Sequence, residues 1–223
     1  MMPFEGDFTS TANGALLLSA LAAMLYLFVA EAAPSWRRTA VKAAPVLLLA
    51  VTSYTQGGPW LLTAALLACA AGDAALAQHD ERSFLGGLGA FLLGHLLYVA
   101  LFAGLWQPGM GLATAQPWRP AAGVVLLTFT AFMLWRLLPA LTRELRLPVA
   151  AYVAAILAMG LAALGVPGIG VAAGALLFVA SDAILATRKF LLPEASPYRT
   201  AAGLAVWVTY YTAQLLITLA VLP

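Results

Sequence analysis

Residues 84–106 read FLGGLGAFLLGHLLYVALFAGLW, a run without a single Asp, Glu, Lys or Arg. A helix needs roughly 20 apolar residues to cross the hydrocarbon core of a bilayer, and this run is long enough to do so. Similar runs recur on both sides of it: 14–32, 40–56 and 60–78 before it, and 119–138, 148–165, 168–187 and 200–221 after it. The second and sixth are short, and only the turn around Pro167 separates the sixth from the seventh, so seven helices is the alternative count. Hydrophobic residues make up 63% of the chain and charged ones 9%, with a mean hydropathy of +0.94. Ordinary globular domains carry about a quarter charged residues, so a water-soluble surface cannot be built from this composition. The expected fold is therefore all-α: a polytopic integral membrane helical bundle of about eight transmembrane helices, forming one domain over residues 1–223.

Charge placement orients that bundle. Lys and Arg in short loops stay on the cytoplasmic side of a membrane. With both termini outside, the inner ends of the spans receive Arg37, Arg38, Lys42, Arg82, Arg136, Arg143, Arg146, Arg188, Lys189 and Arg199, and only Arg119 falls outside. Ten of the eleven basic residues thus obey one orientation, and an odd number of helices would scramble it. The N-terminal MMPFEGDFTSTANG has no basic residue ahead of the first run, unlike a cleaved signal peptide, so that run reads as a retained helix. Net charge is +2 with no basic, aromatic-interleaved block, which sets nucleic acid aside as a partner. Cys69 is the sole cysteine, excluding an internal disulfide and a cysteine-based metal cluster. Abundant Ala and an excess of Arg over Lys suggest a bacterial source, and hence a cytoplasmic (inner) membrane.

Ionisable groups inside a bilayer are costly and tend to mark a site. Asp73 and Asp182 stand out. They lie in LLACAAGDAAL (66–76) and ALLFVASDAIL (175–185), two similar stretches, each with a small residue directly before the Asp. Four helices separate them, so a parallel internal repeat would give both the same direction and depth. Placing the other helices by direction adds Glu31, Lys42, Tyr152 and Lys189 at that level, with His95, Tyr98, Tyr210, Tyr211 and Gln214 deeper. A polar pocket with a basic mouth and an acidic floor, opening toward the cytoplasm, is expected. Snorkelling and topology alone account for Arg38, Lys42, Arg188 and Lys189, headgroup exposure for Glu31, and simple packing for the tyrosines. His95 reads equally as a satisfied interior residue, a proton carrier or a ligand.

A pair of buried carboxylates readily shares one proton and so supplies one acid and one base, the division of labour in glycosidases. In a membrane the matching substrate is a lipid with an acid-labile ether-like bond. With His79 and His95 as the only histidines, multi-histidine oxygenase sites are excluded; no HExxH, GxSxG or phosphate-loop pattern is present. A proton-coupled small-molecule or lipid transporter is the rival reading, since paired intramembrane carboxylates serve carriers too. A lipid-binding sensor with the same pocket is a third.

The stretch 66–102, the stretch GALLFVASDAILATRKF (174–190) and the closing TYYTAQLLI (209–217) resemble the YhhN family of membrane proteins, as do VKAAPVLLL (41–49) and PVAAY (148–152). That resemblance implies an eight-helix lysoplasmalogenase-like hydrolase that works without a cofactor or metal. It would cleave the vinyl ether bond of a lysophospholipid substrate, a lysoplasmalogen, to a fatty aldehyde and glycerophosphoethanolamine or glycerophosphocholine. It places Asp73, Asp182, His95, Tyr98, Tyr210, Tyr211 and Gln214 in the family's polar pocket, where the chemistry of paired carboxylates makes one aspartate the general acid and the other the group that stabilises the cation and orients water, in either order. Lys42, and with it Lys189, would hold the phosphate, Tyr152 and Glu31 would line the same pocket, and membrane lipids would surround the apolar bundle.

Overall fold

The computed structural model describes residues 3–7, 9–78, 80–106 and 116–222; His79 lies outside them. Among these residues every regular element is helical: α1 (Thr11–Val29), α2 (Trp36–Thr55), α3 (Trp60–Leu76), α4 (Glu81–Leu105), α5 (Trp118–Leu137), α6 (Arg143–Ala163), α7 (Gly170–Ala186) and α8 (Arg199–Val221). A short 3₁₀ turn, Leu138–Ala140, follows α5, and a π turn, Thr187–Leu191, follows α7. Six of the helices are long and apolar enough to span a membrane, and α3 is a shorter apolar helix. α2 has the length, but its first two turns carry Arg37, Arg38 and Lys42, which lower its hydropathy. The chain is an all-helical polytopic membrane protein.

Helix starts differ from the apolar runs because the backbone obeys caps rather than hydropathy. α1 starts at Thr11 because the Ser10 side chain accepts from the Asn13 amide; α2 starts at Trp36, where Ser35 does the same for Arg38. α6 begins at Arg143, not at Pro148: the proline falls in the second turn, where its missing N–H frees a single carbonyl near the headgroups. α1 ends at Val29, leaving Glu31 beyond the helix and exposed. Trp36, Trp60, Trp106, Trp118 and Trp135 all stand at or near helix ends with exposed rings, the arrangement expected of interfacial anchors, whereas Trp207 is buried.

The chain forms two compact units, one of residues 1–98 with 214–223 and one of residues 99–213. In the first, Arg38 ties helix ends together. Its Nε and Nη2 donate to the Ala30 carbonyl and its Nη1 to the Ala77 carbonyl, the C-terminal caps of α1 and α3. A guanidinium at two helix C-termini satisfies orphan carbonyls and complements both dipoles. At the opposite end, Gly57 turns the chain with a φ of +64° and Ser53 hydrogen-bonds Thr63 across the turn from α2 to α3. α3 and α4 are antiparallel and in close contact: a Cβ on Gly87 would strike Leu76, one on Gly72 would strike Phe91, and one on Gly94 would lie 2.7 Å from Cys69 Sγ. Contacts step up α4 as they step down α3, and glycine permits the approach. Gly94→Leu is therefore expected to force the pair apart and lower the thermal midpoint by ten degrees or so in detergent, whereas Gly89→Leu, at a position with open space, changes it little.

In the second unit the buried Arg119 plays the same kind of part. Its Nη1 donates to the carbonyls of Leu164 (2.7 Å) and Val166 (2.8 Å), its Nη2 to Gly168 (2.7 Å), and its Nε to the Gln116 side chain (2.9 Å). The guanidinium thus holds the end of α6 and the turn into α7, with the Trp118 ring 4.8 Å away. Arg119 was the exception to the charge asymmetry, and its charge is spent on carbonyls rather than left in a loop. At the other end Arg188 and Arg199 donate to each other's backbone carbonyls and close the link from α7 to α8.

Candidate active site

Asp73 stands in the last turn of α3 and is 2% exposed. The residues around it are small: Gly72 admits Phe91 of α4, and Cys69 one turn earlier touches the Gly94 position. From α2, Lys42 brings its Nζ to 3.8 Å from Asp73 Oδ1, with side-chain exposures of 13% and 3%. Lys42 lies one turn before Pro45, whose carbonyl accepts from Ser19 of α1 at 2.8 Å, so α2 is fixed at the turn that carries the lysine. A pair so withdrawn from water draws on the full interaction of ammonium with carboxylate and loses heavily if either member is removed.

Deeper in the same unit, His95 Nδ1 is 2.6 Å from the Phe91 carbonyl. A carbonyl only accepts, so Nδ1 carries a hydrogen and donates it to Phe91. Tyr98, one turn on, donates its hydroxyl to Gln214 Oε1 of α8; both residues are fully buried. Seven residues separate Tyr98 from Phe91, the neighbour of Gly72, which puts the Tyr98–Gln214 pair about 10 Å further along α4.

In the second unit Tyr152 of α6 donates to Asp182 Oδ2 of α7 at 2.6 Å, and Asp182 is half-buried. Ser181 donates to the Val206 carbonyl at 3.0 Å, drawing α8 against α7 beside the carboxylate. Tyr210 meets Phe178 edge to face with ring centres 5.3 Å apart, and Tyr211 stacks on Trp207. Lys189 lies exposed on the π turn, as Glu31 does beyond α1.

The two similar stretches occupy equivalent places in their units. Each aspartate is met by a side chain from the preceding helix, Lys42 or Tyr152, and each preceding small residue, Gly72 or Ser181, lets the following helix close. The sequence marked Lys42, Asp73, Tyr98, Tyr152, Asp182 and Gln214 as candidates by depth, whereas the pairs Lys42–Asp73, Tyr98–Gln214 and Tyr152–Asp182 emerge only from the structure. Sequence reasoning missed Thr218, fully buried one turn after Gln214; the signal was a polar residue at i+4 from a polar residue in an apolar helix.

The chain matches the YhhN family over residues 37–221. It is 40% identical over 203 residues to human "Lysoplasmalogenase TMEM86B", covering 88% of this chain and 80% of that one. Human "Lysoplasmalogenase TMEM86A" is 30% identical over 211 residues, 86% of this chain and 81% of its own. A "Lysoplasmalogenase" of Mycobacterium bovis is 34% identical over 187 residues, 80% of this chain and 68% of its own. No solved structure matches the chain.

Proposed function

The chain belongs to the YhhN family, and on that premise we propose that it is a membrane hydrolase cleaving the vinyl ether bond of lysoplasmalogens. The likeness to lysoplasmalogenases across most of the chain carries this reading, and the two partnered aspartates supply the chemistry for it. A vinyl ether is cleaved by proton transfer to its β-carbon. The resulting oxocarbenium ion takes up water, and the hemiacetal collapses to a fatty aldehyde while the glycerol oxygen leaves with a proton. Bonds and charge balance with one water consumed and no cofactor.

In this proposal Asp73 and Asp182 are the catalytic carboxylates of an enzyme in the cytoplasmic membrane of a bacterium. Asp73, ion-paired with Lys42, is the carboxylate that stabilises the cation and orients water. Asp182 takes the Tyr152 hydroxyl on Oδ2 and delivers the proton from its other oxygen. Lys189, exposed at the end of α7, meets the phosphate, and His95, Tyr98, Tyr210 and Tyr211 are the side chains offered to the alkenyl chain. Glu31 lies at the mouth.

Purified protein given lysoplasmenyl-ethanolamine should release fatty aldehyde, and given the saturated alkyl ether analogue should release none. Turnover of neither lipid sinks the proposal. Tyr152→Phe removes the hydrogen bond that holds Asp182 as it becomes a carboxylate on giving up its proton, worth roughly 1.5–3 kcal/mol, and should lower kcat by about tenfold or more with KM little changed.

A further inference from the structure

Six threonines, Thr39, Thr52, Thr55, Thr128, Thr187 and Thr209, donate their hydroxyls to the carbonyl four residues earlier. That is how a helix in an apolar medium satisfies a hydroxyl from within. Thr218 of α8 does not: its Oγ1 is buried with no hydrogen-bond partner, although the residue is 0% exposed. One turn earlier on the same face, Gln214 is also 0% exposed, and its Nε2 has no hydrogen-bond partner either. The Tyr98 hydroxyl fixes the orientation of that amide by donating to Oε1, so the two amide hydrogens point away from Tyr98. Residues four apart on a helix share a face, about 5–6 Å from Cβ to Cβ, so one small molecule that accepts from the amide and donates to the hydroxyl would serve both.

We propose that Gln214 and Thr218 form a binding site for one internal water molecule, held in the sequence Tyr98, Gln214, water, Thr218 within the first unit. Hydrocarbon offers no alternative partner, and an orphaned buried amide or hydroxyl is costly. Internal waters occupy places of this kind, where otherwise unsatisfied polar groups converge. Its occupancy follows from the hydrogen bonding of these side chains and does not depend on the vinyl ether chemistry.

The sign of a stability change tests it. In a dry site, Thr218→Val replaces an unsatisfied hydroxyl with a methyl group of the same shape and raises the thermal midpoint in detergent. In a hydrated site the same change strips the water of a partner and lowers the midpoint by a few degrees, while Thr218→Ser, which keeps the hydroxyl, falls by less. In a Gln214→Leu background the water has already lost its main anchor, so Thr218→Val should then be neutral or stabilising. If Gln214→Leu fails to fold, Gln214→Met serves as the background. A rise in the midpoint for Thr218→Val in the otherwise native chain, or the same change in both backgrounds, overturns the proposal.

Discussion

Asp73→Asn and Asp182→Asn are each expected to lower kcat for vinyl ether cleavage by about a hundredfold or more. The amide keeps the shape and the acceptor oxygen of the carboxyl group but neither carries the transferable proton nor balances a cation. The two variants should differ in stability. At Asp182 the asparagine oxygen still accepts from Tyr152, so the thermal midpoint moves little. At Asp73 the change leaves the Lys42 ammonium in a site where the carboxylate was 3.8 Å away and nearly inaccessible, at a cost of roughly 3–5 kcal/mol. Adding Lys42→Met to Asp73→Asn should recover most of that stability without restoring turnover. Activity and thermal unfolding of the four proteins, measured side by side, separate a catalytic loss from a folding loss. Two aspartate variants that are both nearly as active as the parent refute the acid–base assignment even if the parent releases aldehyde.

Arg119→Leu is expected to cost roughly 3–5 kcal/mol of stability, the scale seen when one partner of a buried charged network is removed. Four hydrogen bonds go with the side chain, three of them to the carbonyls of Leu164, Val166 and Gly168. Those carbonyls close α6 and begin the turn into α7, where no further helical N–H follows to take them. Arg119→Lys should recover only part of the loss, because an ammonium is a point donor and cannot span three carbonyls as a planar guanidinium does. Thermal unfolding in detergent, read beside Arg82→Leu as an exposed control, measures the difference; equal midpoints for the two leucine variants contradict the role given to Arg119.

Much of this molecule was legible from residue order because a bilayer restricts the choices so severely. A segment such as 84–106 has no soluble alternative, and a helix in hydrocarbon satisfies its own backbone. The same economy exposed Asp73 and Asp182, since a carboxylate in an apolar run stands out wherever it falls. Helix starts were less legible: Ser10 and Ser35 begin α1 and α2 outside the apolar runs, and Pro148 looked like a boundary while lying inside α6. Partner identity was legible only where the side chain was conspicuous. Lys42 and Tyr152 were candidates by depth, but the pairing of each with one particular aspartate is a product of packing, set by Pro45, Gly72 and Ser181. Arg119 and Thr218 were obscured for a different reason. One looked like an ordinary loop charge and the other like an ordinary helical threonine, and only their hydrogen bonding distinguishes them.

The central claim is that a side-chain acid transfers a solvent-exchangeable proton to carbon. Turnover of lysoplasmenyl-ethanolamine in deuterium oxide, with the aldehyde trapped as it forms and analysed by mass, tests this directly. One deuterium is expected at carbon 2 of the aldehyde, together with a rate slower than in ordinary water. Aldehyde released with only hydrogen at carbon 2 would contradict it.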